Sequence, residues 1–156
     1  MNRCTTCGSQ AIRASEVVES TVVGSLDFDG SVQGWVCEAC GETYVDGLEL
    51  QRFEGLVAHW LADRGEMSSE AFRFMRKSLG MPAVDLAGLL GVTPETLSHW
   101  ETGKHELPRH AAALLATIVI EHAEGRQDTI ERMRNLGLPE IAKPRHAHLE
   151  LGARPG

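Results

Sequence analysis

Two cysteine pairs near the N-terminus constrain the fold of this chain more than any other feature. The first is Cys4-Thr-Thr-Cys7-Gly8, the second is Cys37-Glu-Ala-Cys40-Gly41, and 29 residues separate Cys7 from Cys37. Two Cys-x-x-Cys turns can bring four thiolates around one ion, and four sulfur ligands close a tetrahedral zinc site with no position left for water. We therefore predict one structural Zn²⁺ ion, with the ligands Cys4, Cys7, Cys37 and Cys40.

The alternatives to a metal site are a thioredoxin-like redox pair and free buried cysteines. A redox Cys-x-x-Cys motif normally begins a helix within a larger α/β unit, and no βαβ pattern surrounds either pair. The polar residues that follow Met1 lack the apolar core of a secretory signal, so we expect a cytoplasmic protein. In that reducing compartment cysteines are more often metal ligands than disulfides.

The segment between and after the cysteine pairs has the composition of short strands. Residues 12–23 contain four valines, one isoleucine and one threonine, and residues 31–36 and 42–45 give two further strands. We predict a small β zinc ribbon at residues 1–46, which buries too little apolar area to fold without its metal. Four residues between the first two strands predict a loop: Gly24, Asp27, Asp29 and Gly30.

A helical pattern replaces the strand pattern at residues 47–65, which we interpret as a linking helix. Apolar residues at spacings of one, three and four predict a single buried stripe. Its members are Leu48, Phe53, Leu56, Val57, Trp60 and Leu61. Gly65 can end this helix, and Ser68 or Ser69 can cap the next one.

Residues 82–104 predict two short helices joined by a tight turn. Pro82 suits the first turn of a helix, and Gly91 can adopt the positive φ that ends it. Thr93 then offers a side-chain cap to a second helix, whose first position is Pro94. A short helix that packs on its predecessor in this way is the element that enters a DNA major groove.

The second short helix has an apolar face and a polar face. Leu97 and Trp100 are predicted to face inward, which leaves the polar residues for DNA. The candidate DNA-binding residues are Thr93, Glu95, Thr96, Ser98, His99 and Lys104. The partner is therefore predicted to be double-stranded DNA, with phosphate attraction from a local basic cluster. That cluster is Arg73, Lys77, Lys104 and Arg109, with His105 and His110 if protonated.

The spacing in this region resembles the Cro and lambda-repressor type of helix-turn-helix domain. The resemblance rests on Leu90-Gly-Val-Thr93 and Leu97-Ser-x-Trp-Glu-x-Gly-Lys104, followed by Pro108. It implies an all-α helix-turn-helix bundle, which we place at residues 66–125. It also implies an ion pair between Arg76 and Glu101, and a dimer contact through the last helix.

The two motif sets, in this order, resemble the MqsA family, also described as proteins with a YgiT-type zinc finger. The resemblance covers about residues 1–120 and implies an α+β, two-domain chain: an N-terminal zinc ribbon, a linking helix and the helix-turn-helix bundle. Members are antitoxins of type II toxin-antitoxin systems. The family implies a homodimeric repressor of its own operon whose zinc domain neutralises an RNA-cleaving toxin, and no enzymatic activity.

Other functions stay open at this point. One alternative is a stand-alone regulator or adaptor without a toxin partner, and another is a redox enzyme that uses Cys-x-x-Cys. The chain has a formal net charge of −7, and residues 1–64 hold 4 basic and 10 acidic side chains. We expect one more short helix at residues 126–140 and a disordered tail at 141–156, where prolines and glycines are frequent.

Overall fold

The computed structural model describes residues 3–136 together with His146 and His148. Within these residues a three-stranded antiparallel sheet precedes six helices, which confirms the predicted α+β class. The strands are β1 (Ile12–Val23), β2 (Leu26–Cys37) and β3 (Thr43–Val45). The helices are α1 (Gly47–Asp63), α2 (Ser69–Ser78), α3 (Ala83–Leu90), α4 (Pro94–Glu101), α5 (Arg109–Ala123) and α6 (Asp128–Leu136). Residues 137–140 of the predicted extra helix and all of the predicted tail except the two histidines lie outside the described residues.

β1 and β2 form a hairpin that pairs along its whole length, from Ile12 opposite Cys37 to Val23 opposite Leu26. Only residues 24–25 remain for the turn, so the loop predicted to extend to Gly30 is wrong. The polar residues of that stretch occupy alternate, solvent-facing positions of β2, and the residues between them face α1. Polarity on one side of a strand was mistaken for a break in the strand.

α1 begins at a cap and buries one face. The Asp46 carboxylate accepts hydrogen bonds from the amides of Leu48 and Glu49. The buried face consists of Phe53, Val57, Ala58, Leu61 and Ala62. The predicted apolar stripe is therefore partly wrong, because three of its members are exposed: Leu48 by 57%, Leu56 by 72% and Trp60 by 40%. Ala58 and Ala62 extend the buried face to one side, and the positions of the larger apolar residues did not indicate this.

The helices of the DNA-binding region begin and end near the predicted residues. Ser68 caps α2 and Thr93 caps α4, each through its side-chain oxygen. Gly91 ends α3 with a φ of 68°, the left-handed conformation that the short turn requires. Pro82 is the cap of α3 rather than a residue of its first turn, and Pro108 occupies the same position before α5.

One buried cluster extends from the sheet to the last helices of the bundle. It includes Val17 and Val32 of the hairpin, Val57 of α1, Phe72 of α2 and Leu115 of α5. α1 packs on β2 with one side and on α2 and α5 with another. Because α1 contacts both layers, the sheet and the helical bundle share a single apolar core. Within the described residues, no helix has the length and apolar character needed to cross a membrane.

Candidate metal centre and nucleic-acid interface

The four cysteines lie together at the end of the hairpin that is distant from its turn. Cys4 and Cys7 come from the segment before β1, Cys37 ends β2, and Cys40 follows in the next turn. Their sulfur atoms all lie within 4.8 Å of one another. The Sγ atoms of Cys4 and Cys40 are 3.7 Å apart, and those of Cys7 and Cys37 are 3.6 Å apart.

This spacing fits a tetrahedral metal site. With metal–sulfur bonds of about 2.3 Å, neighbouring sulfur atoms of a tetrahedron are separated by about 3.8 Å. A disulfide would need a separation of about 2.05 Å, and all four cysteines are free thiols. The four-cysteine cluster is thus compatible with a zinc site.

The two cysteine turns have the same backbone arrangement. The amide of Gly8 donates to the carbonyl of Cys4, and the amide of Gly41 donates to the carbonyl of Cys37. Both glycines have positive φ, 74° and 78°, a conformation that residues with a side chain rarely adopt. The Cys7 amide also donates to the Cys4 sulfur over 3.4 Å. Each turn therefore curves its backbone around the place where an ion would sit.

Tyr44 contributes to this centre in a way that the sequence did not indicate. Its hydroxyl lies 3.0 Å from the Cys4 sulfur and accepts a hydrogen bond from the Thr5 amide. The hydrogen bond from Tyr44, assisted by the Cys7 amide, lowers the pKa of the Cys4 thiol to about 6. The only signal in the sequence is that Tyr44 follows the second cysteine pair on a short strand, which is too general to identify a metal-site neighbour.

The pKa of the Cys40 thiol is shifted in the opposite direction to that of Cys4. The backbone hydrogen bond from Glu42 lowers the pKa of the Cys40 thiol, but desolvation and the neighbouring sulfur atoms outweigh it and raise that pKa to about 12. Four negative sulfur atoms at these distances repel one another, and a bound divalent cation removes that repulsion. The donor set is therefore chemically suited to a thiophilic metal ion.

α4 presents its polar face to solvent. Leu97 and Trp100 are buried, as expected from their spacing. Four of the candidate DNA-binding residues are exposed and two are partly buried: Thr93, Glu95, Ser98 and Lys104 are exposed, and Thr96 and His99 are partly buried. The Thr93 hydroxyl accepts from the Thr96 amide and lies 2.9 Å from the Thr96 hydroxyl. The cap residue Thr93 and the outward residue Thr96 are therefore held in one fixed arrangement.

His99 is less accessible than a residue on the outward face was expected to be. Its side chain is only 19% exposed, because His105 packs against it edge to face with ring centroids 4.6 Å apart. Nζ of Lys104 lies 3.0 Å from Nε2 of His99. A charged lysine only donates, so Nε2 of His99 is the acceptor in this contact. The contribution of His105 was not predicted, since it depends on how the chain turns after α4.

Arg76 and Glu101 form a nearly buried ion pair between α2 and α4. Nε of Arg76 lies 2.5 Å from Oε1 of Glu101, and Nη2 lies 2.9 Å from Oε2. Nη1 donates to the carbonyl of Met81, just before α3. One guanidinium therefore connects three helices, and it fixes α4 relative to the helices beneath it.

The residues predicted to attract phosphate all lie on the surface. Arg73 and Lys77 are exposed on α2, and Arg109 is exposed at the start of α5. His105 and His110 are also exposed. These side chains are free to approach a polyanion without desolvation of the core.

Comparison with known families supports the candidate DNA-binding surface on α4. Residues 72–118 match the family described as helix-turn-helix, and the matched segment includes α3, the turn at Gly91 and α4. No curated protein matches the chain. The resemblance to the MqsA family stays a prediction. The chain thus carries a Cro/C1-type helix-turn-helix domain at residues 72–118, which supports a DNA-binding transcription regulator.

Proposed function

We propose that this protein is a sequence-specific transcriptional repressor that places the polar face of α4 in the major groove of its operator. The observation that carries the proposal is the division of α4 into a buried side, at Leu97 and Trp100, and an accessible polar side. In helix-turn-helix proteins this arrangement directs the N-terminal part of the second helix at base edges. Binding as a homodimer would match a two-fold symmetric operator.

The chemistry of the polar face suggests how bases are distinguished. Hydroxyl groups of Thr96 and Ser98 can donate to or accept from base edges, and the Glu95 carboxylate can accept from cytosine N4. Lys104 and the exposed arginines would contact phosphates, which position the domain without reading sequence. With an overall charge of −7, non-specific attraction is weak, so discrimination depends on these base contacts.

The repressor proposal is tested by replacing the outward residues. A duplex bound by the wild-type protein is first selected from a randomised DNA library. Thr96→Ala/His99→Ala is expected to lose retention of that duplex while the dimer stays intact in sedimentation. The matched control, Thr117→Ala/His146→Ala, changes the same residue types at exposed positions that are not part of α4. Unchanged retention by the α4 variant would refute the proposal.

We further propose that the protein is the antitoxin of a type II toxin-antitoxin system, with Zn²⁺ bound by Cys4, Cys7, Cys37 and Cys40. The support is the family resemblance together with the charge of the sheet. Glu16, Asp27 and Asp29 are exposed on the hairpin, and residues 1–64 carry 10 acidic and 4 basic side chains. A toxin that cleaves RNA needs a basic surface, and an acidic sheet is complementary to it.

Copurification from the native host tests the antitoxin role. The expected result is a small basic protein that is recovered with the full chain, that is toxic when expressed alone, and that is neutralised by coexpression of this chain. A chain that binds operator DNA but recovers no such protein would instead support a stand-alone regulator or adaptor.

A further inference from the structure

A groove lies between α1, the C-terminal end of α2 and the C-terminal end of α5. Its volume is about 710 Å³, within the range of roughly 300–1,000 Å³ that is typical of small-molecule sites. The groove is not part of the cysteine cluster, and none of the six candidate DNA-binding residues lines it. It therefore lies outside both the cysteine cluster and the polar face of α4.

Small residues open the groove, and larger apolar residues form its walls. Gly55 and Ala58 of α1 line one side, and a Cβ atom added at Gly55 would meet no heavy atom within 4 Å. Leu56, Leu79 and Val119 supply apolar surface around this space. The result is a largely apolar groove with the volume to hold an alkyl chain.

The polar residues of the groove are basic or neutral. Arg52, His59 and His122 line it, and no aspartate or glutamate is among the described residues that do so. This is notable in a chain with 22 acidic and 15 basic residues. Glu49 forms an ion pair with Arg52 from the same helix, but Arg52 remains mostly exposed. An imidazole can donate a hydrogen bond in either protonation state, so the groove offers donors to an anion.

We propose that this groove binds an amphiphilic monocarboxylate, with the alkyl chain between α1 and α5 and the carboxylate beside His59, His122 and Arg52. The apolar walls favour an alkyl chain in the ligand, and a described lining without carboxylates favours a negatively charged head group. Such a ligand contacts the helix that follows the sheet and two helices of the DNA-binding bundle at once. It would therefore stabilise the contact between these helices by binding the folded state.

Titration calorimetry with decanoate, below its micellar concentration, tests the proposal. Decanoate is expected to bind saturably with one site per chain, and decyltrimethylammonium, with the same chain and the opposite charge, to bind at least about tenfold more weakly. Gly55→Leu fills the groove and is expected to weaken decanoate binding at least about tenfold. The matched control is Gly88→Leu, an exposed helical position that is also free of neighbours within 4 Å.

A second variant separates the head group from the chain. His59→Gln/His122→Gln is expected to weaken decanoate at least about fivefold and to leave the binding of 1-decanol unchanged. The proposal fails if decanoate shows no saturable binding, or if Gly55→Leu binds it as the wild type does. It also fails if Gly55→Leu dissociates a homodimer that decanoate does not affect, because a second copy of the chain would then cover the groove.

Discussion

At the scale of single residues, the most consequential contact is the Arg76–Glu101 pair. Both side chains are about one-tenth exposed, so neither charge can be rehydrated if its partner is lost. The third bond of the guanidinium, to the Met81 carbonyl, lies next to the start of α3. The pair therefore controls the orientation of both helices of the helix-turn-helix motif.

Glu101→Ala is expected to lower the free energy of unfolding by about 3–5 kcal/mol, because it leaves a buried guanidinium without its counter-charge. Urea denaturation measures this loss. The control is Glu38→Ala, which removes the exposed partner of Arg13 and should cost less than about 1 kcal/mol. Arg76→Met/Glu101→Leu should recover most of the stability, since no charge remains buried. Equal losses in Glu101→Ala and Glu38→Ala would contradict the buried-charge explanation.

The residues that sequence could not assign are those whose roles depend on distant parts of the chain. Tyr44 reaches Cys4 across 40 positions, and His105 covers His99 only because the chain turns back after α4. By contrast, the caps at Ser68 and Thr93 act within three residues of themselves, so local spacing predicted them. These contacts between residues that are farther apart in the sequence were therefore missed, whereas contacts within three residues were predicted.

At the scale of elements, α6 is attached by one buried carboxylate. Glu121 of α5 is buried and accepts from both the amide and the hydroxyl of Thr129, each over 2.8 Å. α6 has no buried side chain of its own. Its position therefore depends on this polar contact together with the half-buried Ile130 and Met133.

Glu121→Ala is expected to release α6 and leave the rest of the bundle folded. Amides of residues 128–136 should exchange with solvent at least about tenfold faster, while those of residues 72–118 should keep most of their protection. Hydrogen exchange with mass spectrometry resolves the two segments. Glu131→Ala, which alters an exposed carboxylate of α6 itself, should change neither. Unaltered exchange in the Glu121 variant would show that other contacts hold the helix.

The elements differ in how well their sequences specified them. α4 was predicted closely because its cap, the glycines around it and its apolar spacing agree within a few residues. β2 and α1 were predicted less well for a shared reason: each contacts the other layer of the protein. Asp27, Asp29 and Gly30 are compatible with a strand because α1 covers one side of β2 and leaves the other side to solvent. The alanines of α1 are buried because α2 and α5 pack on that helix.

At the scale of the whole molecule, the metal centre and the DNA-binding helices are connected through α1. The cysteine cluster fixes the open end of the hairpin, whose valines share a buried cluster with α1 and with the bundle. At its other end the hairpin turn approaches α2, where a Cβ atom added at Gly24 would lie 3.8 Å from the Ser68 hydroxyl. Loss of order in the sheet would therefore expose part of the surface on which α1 and α2 pack.

Removal of the metal is expected to destabilise the helices as well as the sheet. We expect one Zn²⁺ ion per chain by elemental analysis of the purified protein, and its chelation should lower the free energy of unfolding by at least about 4 kcal/mol, the linkage contribution of an ion present at 1,000 times its dissociation constant. Cys37→Ser should reproduce this loss and make the protein insensitive to chelator, whereas Ser31→Ala, at an exposed position of the same strand, should still bind one ion. Hydrogen exchange should then rise first in β1 and β2 and next in α1, because the sheet lies on that helix.

Two outcomes would contradict this prediction. A chelated protein whose helices unfold at an unchanged temperature would show that the shared core does not transmit the effect of the metal. A protein purified without stoichiometric metal would remove the basis for the four-cysteine site.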